Sequence, residues 1–123
     1  MTPHITLCYG ETPPSLNLMG TRGSHWIVRR EKQKWQGIFD GLLMEAKIPK
    51  HLNAIYATAE LTFPTRRRRD EGNFRWMLEK ALGDSLVVGG YLLDDDPDHF
   101  RFGKLTFDPT PGKPELIVRL ECL

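Results

Sequence analysis

The sequence predicts a single small α/β domain in the order β-α-β-α-β-β, with two helices packed on a mixed sheet. Three observations predict it. Two stretches repeat apolar residues at intervals of three and four, the period of a helix with one buried face. Segments rich in β-branched and aromatic residues flank and separate them, each bounded by Gly or Pro. The 123 residues contain no repeat, low-complexity tract or linker, which suits one core and one domain.

The first strand is read from HITLCY (4–9) and is placed as a first or edge strand. It ends at GETPPSLN, whose Gly, paired Pro, Ser and Asn forbid a continuing element, and LMGTRGSHW follows as loop. From Val28 to Lys47 the apolar residues Val28, Trp35, Ile38, Phe39, Leu42, Leu43 and Ala46 recur at helical spacing. Arg29, Arg30, Lys32 and Lys34 occupy the rest of the surface, so this is an amphipathic helix with a basic first half, closed by Pro49. NAIYATAELTF (53–63) alternates and reads as a half-buried strand ended by Pro64. After Asp70, Phe74, Met77, Leu78, Ala81 and Leu82 form a second helical stripe, with Gly83 read as its stop. LVVGGYLLDDD (86–96) is an apolar loop or short strand broken by Gly-Gly. FRFGKLTFD (100–108) and ELIVRLECL (115–123) are two closing strands joined by the turn-rich PTPGKP and expected to pair antiparallel. Trp35 and the stripe from Phe74 to Ala81 are expected in the core.

Seventeen Lys and Arg against sixteen Asp and Glu give a formal charge of +1, so bulk charge selects no partner and only local clustering does. Cys8 and Cys122 have neither zinc-site spacing nor the density of a disulfide scaffold, and are expected to be buried free thiols in a reducing cytoplasm. No apolar run approaches the ~18 residues of a membrane span, and MTPHITLCYG lacks the plan of a signal peptide, so no membrane association is expected.

The clustering is strong. Residues 66–69 are all Arg and run straight into Asp70 and Glu71, while four of the five residues 94–98 are Asp. Adjacent guanidiniums repel one another and must face water or a polyanion. Asp70 falls at a strand-to-helix junction, and Asp94–Asp96 follow an apolar segment expected to return beside it. Carboxylates gathered this way suit Mg²⁺, which takes one or two of them together with substrate phosphate oxygens. The arginines supply the complement by holding a phosphodiester. Plainer readings stand beside this one: an Asp-Asp-Asp-Pro string makes a good turn, Arg runs are often generic patches, and Glu71 with Arg75 forms a helical ion pair. His99 is a possible ligand or base beside the acidic run, though Mg²⁺ prefers oxygen. His25 and Trp26, between Arg22 and Arg29, suit stacking on unpaired bases.

PPSLN after the first strand, RGSH in the next loop, RRRRDEGN entering a helix and LLDDDP before the last two strands resemble, in order and spacing, the RusA-type Holliday junction resolvases over nearly the whole chain. The resemblance implies a Mg²⁺-dependent homodimeric endonuclease that nicks four-way or related branched DNA symmetrically, in a family where phage or prophage origin is common. Position by position, it matches Asp70, Asn73 and Asp95. Two departures stand out. The family reads Arg-Asp-x-Asp-Asn, whereas Gly72 holds the second Asp position here and the carboxylate has moved to Glu71; the family's helix lysine is replaced by Trp76, with Lys80 one turn on. Positions 72 and 76 lie about 40° apart on one helix face, so one face changed twice.

The expected site is then Asp70, Asp95, Glu71 and Lys80 for catalysis, with Asp70, Asp95, Glu71 and Asp94 on the metal. Arg66, Arg67, Arg68, Arg69, Asn73, Arg75, Arg22 and His25 are expected on DNA, Arg75 or Lys80 taking over the missing lysine's role. Two alternatives remain open: an inactive branched-DNA-binding protein, and a small interaction protein with a solvated charged loop.

Overall fold

A computed structural model describes residues 4–15 and 25–123; residues 16–24, with Arg22 and most of the loop before the first helix, lie outside the described residues. The elements are β1 (His4–Tyr9), α1 (His25–Glu45), β2 (Ile55–Thr62), α2 (Gly72–Val88), β3 (Phe100–Phe107) and β4 (Glu115–Cys122). The helices pack on each other and on a four-stranded mixed sheet of order β1-β4-β2-β3.

The closing strands do not pair with each other, as PTPGKP suggested they would. β3 runs parallel to β2, with Ile55 opposite Phe100, while β4 inserts antiparallel between β1 and β2, with Val118 opposite Leu7 on one side and Ala59 on the other. The reason is the crossover: a strand that follows a helix packed on the sheet returns parallel to the strand before that helix. β2 therefore claims β3 first, and the turn carries the chain across the end of β2.

Strand alternation sends one set of side chains toward the helices. Leu116, Val118, Leu120 and Cys122 are buried, as are Ile55, Ala57, Ala59 and Leu61 on β2. Trp35, Phe39 and Leu43, four residues apart, supply the buried stripe of α1, and Met77, Leu78, Ala81, Leu82 and Leu86 that of α2. Each fully buried large apolar side chain contributes about 1.5–3 kcal/mol relative to exposure. The same alternation corrects the expectation for Cys8. Leu7 faces the helices, so Cys8 is exposed, while Cys122 is buried and its thiol pKa is raised by that burial.

α2 also runs further than its stripe implied. Gly83 lies inside it, where an added Cβ would come within 3.3 Å of the Phe100 ring. The glycine lets the helix pass close to the start of β3 rather than ending it. The stop comes at Gly89 and Gly90: Gly90 takes a φ of 77°, its N–H reaches Val87 O, and the Tyr91 N–H reaches Leu86 O. That is the left-handed helix end that glycine supports. Leu86–Val88, read as loop or strand, is thus the last turn of α2.

Candidate nucleic-acid interface

Phe63, Phe74 and Phe107 pack as an aromatic trio below the chain that leaves β2, with ring centroids 5.3 to 6.0 Å apart. Arg69 lies over the Phe63 ring at 3.8 Å and donates to Thr65 O, Thr65 Oγ1 and Arg67 O at 3.1 to 3.2 Å. Its pKa is lowered by burial and, second, by the Arg67 charge. Arg69 therefore folds the arginine run back on itself. Arg66, Arg67 and Arg68 are left exposed, with side chains that meet no acceptor among the described residues.

Asp70 caps α2. Its Oδ1 accepts the Gly72 N–H at 3.1 Å and its carbonyl accepts the Asn73 N–H, satisfying two of the donors a helix start leaves open. Glu71 accepts from Arg75 at 2.9 Å, and Arg75 in turn donates to Gly103 O at 2.7 Å and to Phe102 O. Arg75, expected on DNA, is instead a half-buried tie between α2 and the edge strand β3. The plainer reading of Glu71 as an i,i+4 ion-pair partner is what the geometry holds.

Arg67, Arg68, Arg69, Asp70, Glu71 and Asn73 form one wall of a cleft of about 1060 Å³. Pro13, Pro14 and Ser15 after β1, with Glu31, Lys34 and Trp35 of α1, line the same cleft. PPS (13–15) and RRRDE (67–71), from two of the quoted sequence pieces, thus line one opening, while Arg66 lines a neighbouring hollow with Phe107 and Pro109. Lys34 belongs to the basic first half of α1 read from the sequence, whereas the only sequence signal for Glu31 is its position one turn before Trp35. Trp35 is buried as expected, and its Nε1 meets no hydrogen-bond partner among the described residues.

The rest of the expected site lies elsewhere. Asp95 packs beside Gly83, its Cβ 3.5 Å from where a Gly83 Cβ would sit, and shares a hollow with Lys32, Gln36, Asp84 and Val88. Gly83 is about 16 Å along the helix axis from Gly72, at 1.5 Å per residue. The crossover explains the separation: α2 starts where β2 ends, and the acidic run precedes β3 at the helix's other end. Asp94, Asp95, Asp70 and Glu71 therefore do not form one metal site within a chain, and among the described residues no three His, Cys, Asp or Glu side chains gather to hold an ion. Asp70 and Glu31 line one cleft, and one or two carboxylates are what Mg²⁺ commonly takes from a protein.

The acidic run is a structured turn. Asp94 accepts the Asp95 N–H at 2.7 Å, and Asp96 accepts the N–H groups of Asp98 and His99 and meets His99 Nδ1 at 2.6 Å. That contact raises the His99 pKa and lowers that of Asp96. Lys80 faces Asp84 at 3.6 Å, and lines a second hollow of about 440 Å³ with His25, Val28, Arg29, Lys32 and Trp76. Neither Lys80 nor His25 lines the arginine cleft. No protein-family model matches the chain, and comparison with curated proteins gives no match. Among the described residues no helix is long and apolar enough to cross a membrane.

Proposed function

We propose that the protein is a Mg²⁺-dependent endonuclease for four-way or related branched DNA, acting as a cytoplasmic homodimer with the arginine-walled cleft as its phosphate groove. One observation supports this most: two guanidiniums without internal acceptors, those of Arg67 and Arg68, stand with the Asp70 carboxylate at one cleft. Exposed like charges held together are relieved by a polyanion, and Arg offers phosphate two parallel donors. Asn73, in the first turn of α2, adds a neutral donor at the same wall. Asp70, whose Oδ2 is not used in capping, would hold Mg²⁺ with a neighbouring cleft carboxylate, and the ion supplies Lewis-acid polarisation of a phosphate oxygen and an acidified water.

The test is nicking of a synthetic four-way junction with and without Mg²⁺, beside a salt titration of binding. Mg²⁺-dependent, symmetric nicks are expected, and they vanish in Asp70→Asn while binding persists. A second reading, binding without cutting, is favoured by two particulars: Glu71 is committed to Arg75, and Asp95 sits at the far end of α2. Salt-sensitive junction binding with no nicks at any Mg²⁺ concentration selects it. Absence of salt-sensitive binding removes both and leaves the interaction-protein alternative.

A further inference from the structure

The hollow of about 440 Å³ between α1 and α2 joins an apolar lining to an excess of positive charge. Val28, half-buried against the core, and Trp76, left 40% exposed, are the apolar part. Arg29, Lys32 and Lys80 stand beside them, and among the described residues these three cations share one carboxylate. That carboxylate, Asp84, pairs with Lys32, which also donates to Gln36 at 3.0 Å, and lies 3.6 Å from Lys80. Arg29 meets no acceptor among the described residues, and its guanidinium carbon lies 5.8 Å from the centroid of the Trp26 ring. An open indole beside cations that outnumber their carboxylates suits a ligand with a flat face and a negative charge.

The hollow also adjoins the arginine cleft. Asn73 lines the cleft, and Trp76 and Lys80, three and seven residues later, lie within about 60° of it around α2. On α1, Glu31 of the cleft is followed directly by Lys32 of the hollow. From Asn73 to Trp76 the helix rises about 4.5 Å, close to the ~3.4 Å that one strand of a duplex advances per nucleotide. We infer that the hollow is a nucleotide subsite: an unpaired nucleotide adjoining the phosphates in the cleft lays its base on Trp76 and Val28 and its phosphate against Arg29 and Lys80. A base inside a duplex is covered on both faces by its neighbours, whereas strands at a branch point can offer an open face. The hollow therefore supplies a preference for branched over linear DNA that the arginines cannot, because they meet the same phosphates in both. This rests on the cleft as a phosphate groove and needs neither Mg²⁺ nor cutting.

The experiment measures binding of the full chain, without Mg²⁺, to two single strands of equal length and charge: oligothymidylate and its abasic counterpart. Stacking on one ring should make the parent bind oligothymidylate about 10-fold more tightly. In a Trp26→Phe background, with Trp35 buried, oligothymidylate should quench the emission of Trp76 and the abasic strand should not. Trp76→Leu, which keeps an apolar surface, should bring the two affinities within about 2-fold, and Trp76→Phe should keep most of the difference. Arg67→Ala should weaken both strands equally. Arg29→Ala should reduce the slope of log affinity against log salt by about 0.7, the value for one phosphate of a single strand. Trp76→Leu should also narrow the preference for a four-way junction over a linear duplex. Equal affinity of the parent for the two strands, or a difference that Trp76→Leu leaves in place, overturns the subsite while the groove stands. Strands that bind without salt dependence, or not at all, overturn both. Quenching of Trp76 by thymidine monophosphate as strong as by the strand at equal concentration assigns the hollow to free nucleotides and overturns the strand reading.

Discussion

Replacing Arg75 by Met removes a guanidinium that bonds the main chain of β3 while keeping most of the aliphatic stem. Two donors from a charged group reach carbonyls of Phe102 and Gly103, and the guanidinium carbon lies 5.2 Å from the Phe102 ring centroid. Hydrogen bonds to charged groups are each worth about 1.5–3 kcal/mol. The side chain keeps 32% of its surface, so water replaces part of what is lost, and the total expected is about 2–3 kcal/mol. The Glu71 pair contributes only about 0.3–0.5 kcal/mol of this. For a chain of this size the loss lowers the melting temperature by roughly 6–15 °C. Urea denaturation followed by circular dichroism measures it, and a double-mutant cycle with Glu71→Gln should give a coupling of about 0.5 kcal/mol or less. A melting temperature and urea midpoint within about 0.5 kcal/mol of the parent would refute the tie between α2 and β3.

Replacing Arg66, Arg67 and Arg68 together by Ala should reduce the slope of log affinity against log salt by about 2–3, at roughly 0.9 per duplex phosphate contact, without lowering the melting temperature. Arg69→Ala should differ by lowering both, because Arg69 holds the loop and covers Phe63. The His99 ring should titrate by NMR above its ordinary 6.5, and Asp96→Asn should bring the midpoint down. The raised His99 pKa stabilises the fold fully below 6.5 and is lost as pH rises through the folded value, while the lowered Asp96 pKa stabilises above 3.8 and is lost as pH falls through its folded value. His99→Ala should therefore cost more stability at pH 5.5 than at pH 9, read from urea midpoints.

How much of this was legible beforehand follows from what each signal measures. Periodicity reports a face, so the Trp35 and Phe74 stripes and the alternation of β2 carried over directly into buried residues. It does not report neighbours. Gly83 reads as a stop in one dimension and is a point of close approach to Phe100 in three. The partner of β4 is settled by which edge the β2-α2-β3 crossover leaves open, and a local turn sequence holds no information about that. Cys8 is exposed although its neighbours are apolar, because adjacent residues of a strand point to opposite faces.

The site divides along the same line. Arg66–Arg68 and Asp70 are contiguous in sequence, so their adjacency was visible; Arg69 and Arg75 were not distinguishable from them, because whether a guanidinium finds an internal carbonyl depends on the fold. Asp95 depends on topology alone. A helix crossover that returns parallel necessarily sets the residues entering α2 and those preceding β3 at opposite ends of that helix, and no side-chain length spans about 16 Å. If both ends serve one function, a second chain has to bring them together.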